Sequence, residues 1–159
     1  MKMRRSDREV TDINDILGIL DRCRVMRLGL AVGDRPYVVP MNFGYEMAEG
    51  KLFIYFHCAG RGRKLEMIAR NDRVCFEADC ECEIIKNETA CGWSADFESV
   101  MGEGRIRVLT DAEEKARGLD LIMGKYGFEG KPVYGEGEIE RVVVLKLEVG
   151  KVSGKIKKS

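Results

Sequence analysis

Short runs in which every second residue is apolar, each closed by a glycine-containing turn, constrain this chain more than any other feature. From Val25 onward, Met26, Leu28, Leu30 and Val32 fall on one side of a strand, and Gly33-Asp34 then turns the chain back. Tyr37 to Tyr45 is a second extended run, and Glu49-Gly50 closes the next hairpin. Lys51 to His57 is a third strand, apolar on both faces and therefore central. Tight turns can only join antiparallel neighbours, so the sheet is expected to be mostly antiparallel.

Further along, Val74 to Ala78 and Glu98 to Leu109 add strands, the latter with glycines 102 and 104 that permit a bulge or a bend. In Arg141 to Val149, Val143, Leu145, Leu147 and Val149 share one face. Three helices interrupt these runs. Thr11 or Asp12 caps the first, whose stripe is Ile13, Ile16, Leu17 and Leu20. The second is short, with Leu65, Ile68 and Ala69 inward and an end near Asn71. The third opens on the capping box Thr110-x-x-Glu113, continues through Ala112, Ala116, Leu119, Ile122, Met123 and Tyr126, and stops at Gly127. Strands and helices do not alternate as in a doubly wound fold. The expectation is α+β, mainly β: about six antiparallel strands tending to close as a barrel, with short flanking helices.

With 159 residues and 18.0 kDa, the chain suits one domain, 1–159, with its core at about 10–150. Lys+Arg and Asp+Glu both number 27, and this zero balance argues against nucleic acid as the partner. No apolar run approaches the ~20 residues that span a bilayer. Met1 to Arg5 is basic, but Ser6 to Asp12 is polar where a signal peptide is apolar, so the expected location is cytoplasmic, without a membrane.

Six cysteines are expected as reduced thiols, Cys23 and Cys75 as small core residues. Cys80, Cys82 and Cys91 have the wrong spacing for a paired zinc motif, and no metal site is assigned, although the same three with His57 define a metal-binding alternative. Residues 79–97 are expected to form an irregular, acidic connection, and Lys151 to Lys158 a solvated tail.

The segment that carries chemistry is His57-Cys58-Ala59-Gly60-Arg61-Gly62-Arg63-Lys64, set between a strand and a helix. Two glycines let backbone N–H groups converge, the helix adds its unpaired amides and positive dipole end, and Arg61, Arg63 and Lys64 supply charge. Such a turn suits a phosphate monoester. It is neither a Walker loop nor a dinucleotide fingerprint. A solvated basic turn is the plainer alternative. Pro40 marks an edge, a bulge or a place where a ligand takes the backbone's partners.

Val38 to Tyr45, Leu52 to His57, the Gly-Arg-Lys turn, Asn71 to Glu77 and Phe97 to Arg105 together resemble the FMN-binding split barrel of the pyridoxamine 5'-phosphate oxidase-like superfamily, and within it the 5-nitroimidazole-resistance-type flavoproteins. The resemblance covers roughly residues 10 to 150 and implies an antiparallel split β-barrel that forms a homodimer, with FMN at the interface. It also implies roles for individual positions. The backbone of Val39, Pro40, Met41 and Asn42 runs along the isoalloxazine, with Phe56 and His57 at the ring or ribityl side. Gly62, Arg63 and Lys64 hold the phosphate, and Ser99 and Val100 meet the flavin from an adjoining strand. His57 is the candidate catalytic group, as a donor or proton source; a hydrogen-bonded histidine ending a strand is the alternative. Trp93 and Phe97 either cover the flavin or substrate, or plug the barrel or dimer seam. The chain lacks a C-terminal Trp and Arg-containing segment like the oxidase's, so a second substrate phosphate is unsupported. The implied activity is a flavin-dependent oxidoreductase passing electrons to a small, nitroaromatic-like acceptor; a non-catalytic flavin-storage or sensing module is the alternative.

Overall fold

The computed structural model describes residues 5–158, so the basic start at residues 1–4 lies outside the described residues. Eight strands and four α-helices follow in the order β1 (Glu9–Val10), α1 (Ile13–Arg22), β2 (Met26–Val32), β3 (Arg35–Met41), β4 (Gly44–Ala48), β5 (Lys51–Cys58), α2 (Arg63–Arg70), β6 (Arg73–Ile85), β7 (Ser94–Val108), α3 (Ala112–Lys125), α4 (Glu138–Arg141) and β8 (Val143–Lys157). The strands form one antiparallel sheet in the order β3-β2-β6-β7-β8-β5-β4, with β1 pairing with β8.

The outermost strands, β3 and β4, are joined by only Asn42 and Phe43. Three peptide steps span at most ~11 Å, so the two ends of the sheet must curl to meet at this corner. Yet β3 and β4 are not hydrogen bonded to each other, and the barrel is therefore split. The expected split barrel is present, with more strands than the six expected.

Inside it lies one apolar cluster. Met26, Leu28, Leu30, Phe56, Phe76, Ala78, Val100 and Leu145 point inward from their strands, and Ile16, Ile19 and Leu20 of α1 cover one end. Asp12 caps α1 by accepting from the Asn14 and Asp15 amides. On the outer side, α3 packs its Ile122 against Tyr55, Leu109 and Val144. There Gly44 is required: a Cβ would lie 2.5 Å from the Ile122 nitrogen.

Several expectations are corrected. The run Tyr37 to Tyr45 is two strands on opposite ends of the sheet, because the chain crosses the split at Asn42–Phe43. Most of residues 79–97 is not an irregular connection but the end of a long β6–β7 hairpin, which continues past a bulge at Cys80–Glu83. The tail is not a solvated end either. Val152, Gly154 and Ile156 continue β8 against β7. Asp111, not Thr110, caps α3, accepting from the Glu114 amide at 2.9 Å. In α2, Met67 and Ile68 are buried and Ala69 is exposed. Cys23 is fully buried as expected, whereas Cys75 is exposed, because it is an odd-numbered residue on a strand whose neighbours Val74 and Phe76 take the inner face.

Candidate functional site

The split gives the site its shape. Tyr55 pairs with Gly44, the first residue of β4, so Phe56, His57 and Cys58 continue β5 with only β8 beside them. Across the gap, β3 is hydrogen bonded, among the described residues, only to β2. Two strand edges thus diverge from the Asn42–Phe43 corner, each offering backbone N–H and C=O groups that no neighbouring strand uses. Pro40, on the β3 edge, has no N–H to leave unsatisfied. Tyr126 fixes the corner: its hydroxyl accepts from the Phe43 amide at 3.3 Å and donates to the Arg24 carbonyl.

The turn 59–62 and α2 close the wide end of this wedge. Gly62 has φ 143°, a conformation that L-residues rarely adopt, and as the N-cap residue it brings no capping side chain. The first amides of α2 are therefore left to solvent or a ligand, at the positive end of the helix dipole. Arg63 reaches back over the ring of β3 Tyr37. Burial raises the Cys58 thiol above its ordinary range, while the Lys64 charge opposes the rise.

Val39, Pro40 and Met41 lie on the β3 edge, Asn42 at the corner, and Gly62, Arg63 and Lys64 at the start of α2, which the Arg63–Tyr37 contact joins to β3. Phe56 is fully buried in the core, so only its backbone borders the gap. His57 is exposed and lines a cleft of about 530 Å³ together with Glu138 and Arg141. Ser99 and Val100 are not brought to the wedge of their own chain. Two strands, β2 and β6, stand between β3 and β7, a separation of roughly 14 Å at the usual strand spacing. Val100 is moreover fully buried, while Ser99 shares with Pro40 the outer face of the sheet. Trp93 is 52% exposed at the hairpin tip, its indole donating to the Asn87 carbonyl, and it plugs nothing in its own barrel. Phe97 is half-buried beneath Lys155. Tyr37, which no sequence motif singled out, is the residue that ties the β3 edge to α2.

None of the six cysteines is in a disulfide, and among the described residues no three His, Cys, Asp or Glu side chains gather as a metal site requires. No helix among the described residues is long and apolar enough to cross a membrane.

A split barrel with an anion-suited helix end at its opening defines the class, and comparison with known proteins agrees. The pyridoxamine 5'-phosphate oxidase family model matches residues 12–156, and the chain belongs to that family. A protein of Bacteroides thetaiotaomicron, described as a candidate 5-nitroimidazole antibiotic resistance protein, is 32% identical over 93% of this chain and 86% of its own, with a TM-score of 0.80. The flavocytochrome Anf3 of Azotobacter vinelandii (23% identity, 99% of this chain, 73% of its own, TM-score 0.79) shares the fold. So does an FAD- and heme-binding protein of Mycobacterium smegmatis (16%, 96%, 74%, TM-score 0.81). No curated protein matches.

Proposed function

We propose that the wedge binds the ring and ribityl chain of FMN, with the phosphate on the Gly62–Lys64 turn. On this reading the chain is a flavin-dependent oxidoreductase that passes electrons to a small, nitroaromatic-like acceptor. One observation carries this: two unused strand edges diverge from one corner toward an uncapped helix end that bears Arg63 and Lys64. The alternating donors and acceptors of a strand edge suit the polar rim of a flavin ring, and the charged turn suits its phosphate. Flavin-binding neighbours of the same fold support the cofactor class, and the 32% identical protein supports the acceptor class.

The flavin, when bound, supplies two-electron transfer between a reduced donor and the acceptor. Everything else falls to this chain. Val39 to Asn42 orient the ring through their backbone, and Lys64 and Arg63 neutralise the phosphate. The buried side chains of Met41 and Phe56 exclude water behind the edges. His57, at the exposed end of β5, is the assigned proton donor to a bound substrate.

The separation of Ser99 from Pro40 favours a homodimer, in which Ser99 of each chain serves the flavin of the other. The outer sheet face suits such a partner: Val38 and Met101 stand 63% and 61% exposed on it. Anaerobic assay of flavin-loaded protein with a reduced nicotinamide and a nitroaromatic tests the activity. Acceptor reduction that depends on bound flavin is expected; tight binding without turnover with any donor and acceptor pair would leave the storage or sensing reading instead.

A further inference from the structure

The corner from which the two strand edges diverge is held by the end of α3. Met41, the last residue of β3, pairs with Met26, the first of β2, and α1 ends just before it at Arg22. The end of α1, the start of β2 and the Asn42–Phe43 corner therefore lie together. Tyr126 joins Phe43 to Arg24, and the backbone of Leu121 and Ile122 packs against Gly44. Lys125 makes the remaining link.

Its ammonium donates to the Leu20 carbonyl at 2.6 Å and to the Asp21 carbonyl at 3.2 Å, and stands 4.6 Å from the centroid of the Phe43 ring. The last carbonyls of a helix have no partner within it and carry the negative end of its dipole, so a cation suits them. The face of an aromatic ring suits the same charge. One side chain thus ties the end of α1 to the corner residue beside Asn42. Burial pulls the Lys125 amine down from its ordinary range, while the Asp21 carboxylate opposes the fall. A charge drawn from water in this way gains little net stability from its contacts. A methionine of similar length would fill the same space without that penalty. It would not fix where Phe43 sits relative to α1.

We infer that Lys125 is a positioning residue of the flavin wedge: by bridging the end of α1 and the Phe43 ring, it sets the opening between the two strand edges. This rests on the flavin reading above and deepens it. Lys125 acts through Phe43, which is fully buried. Any shift of Phe43 passes to Met41 and Asn42 on one side and to Gly44, where β4 begins, on the other.

The test compares the full chain carrying Lys125→Met with the unaltered protein, each freed of flavin and titrated with FMN. The variant is expected to keep its melting temperature within about 3 °C. It is expected to bind FMN about tenfold more weakly, the scale reached by residues that act through an intermediary. The long-wavelength absorption band of the bound flavin, which responds to the hydrogen bonds around the ring, is expected to move. Should the methionine variant not fold, Lys125→Gln, which loses the charge but keeps a donor, is read in the same way. Tyr134→Phe, which removes the bond to Asp120 on the same helix, is expected to leave affinity and band unchanged. Three results would overturn the inference and leave the flavin reading intact: unchanged affinity and spectrum in the Lys125 variant, weaker binding that only follows a fallen melting temperature with the band in place, or an equal band shift in Tyr134→Phe. Failure of the unaltered protein to bind FMN would overturn the flavin reading itself.

Discussion

The guanidinium carbon of Arg63 lies 4.6 Å from the ring centroid of Tyr37. Arg63 is the first residue of α2 and Tyr37 stands in the edge strand β3, so this contact ties the anion-suited helix end to one wall of the split. Among the described residues Arg63 has no carboxylate partner there. A cation over an aromatic face is worth about 0.5–1 kcal/mol when exposed, enough to bias the side chain without pinning it.

Removing the charge at this turn is the first prediction. An Arg63→Ala, Lys64→Ala variant is expected to bind FMN about a hundredfold more weakly, since charge-assisted hydrogen bonds contribute roughly 1.5–3 kcal/mol each. Titration followed by flavin fluorescence measures it. Unchanged affinity would place the phosphate elsewhere.

Tyr37→Leu keeps most of the apolar volume but removes the aromatic face. Affinity for FMN is expected to fall only a few-fold, in line with about 0.5–1 kcal/mol, with little change in melting temperature. A loss as large as that of the double variant would mean that Tyr37 touches the flavin itself.

Gly44 has no room for a side chain, because the backbone of Leu121 and Ile122 lies within 2.8 Å of where a Cβ would stand. Gly44→Ala is therefore expected to cost about 1–3 kcal/mol as α3 is pushed from β4, measured by denaturant unfolding. A neutral effect would show that α3 is loosely docked.

Glu98 is almost fully buried and bonded by Arg22 and Lys158. Burial pushes its carboxyl up, but the hydrogen bonds and charges of those two partners outweigh the burial and hold it below the usual carboxylate range. A depressed folded value means that its stabilisation is fully present above the ordinary glutamate value of roughly 4.3 and is lost as pH falls below it. Glu98→Gln is expected to flatten the acid limb of the stability–pH curve over that range. An identical limb in the variant would show that other carboxylates set it.

If the outer sheet face seats a second chain, charge placed there will separate the pair. Val38→Asp with Met101→Lys is expected to convert a dimer into an 18.0 kDa monomer by light scattering, and to lower flavin retention with it. A monomer from the outset, or a dimer indifferent to both changes, would remove the two-chain site.

Much of this architecture is legible from the sequence where one face of an element is buried and the other is not. β2 announces itself by alternation, β5 by a continuous apolar run between turns, and α1 by its stripe and the Asp12 cap. The β6–β7 hairpin escaped because Cys82, Glu83 and Ile84 are all exposed, so no period distinguishes an inside from an outside, and the bulge after Cys80 breaks whatever register remains. The end of β8 is different: its signal was present, as Val152, Gly154 and Ile156 alternate with Lys151, Ser153, Lys155 and Lys157, but the lysines resemble a solvated tail. At the site, the Gly62–Lys64 turn was visible as a motif. The wedge was not, because it arises from where β4 begins relative to β5, a matter of register between distant strands. Tyr37 was hidden because its role comes from a contact with Arg63, 26 positions along the chain, that no local pattern encodes.

The most direct test is the absorbance spectrum of freshly purified protein, with any released chromophore identified by mass. The account predicts the two visible-region bands of an oxidised flavin and one flavin released per chain. A colourless protein that also takes up neither added FMN nor added FAD would contradict it.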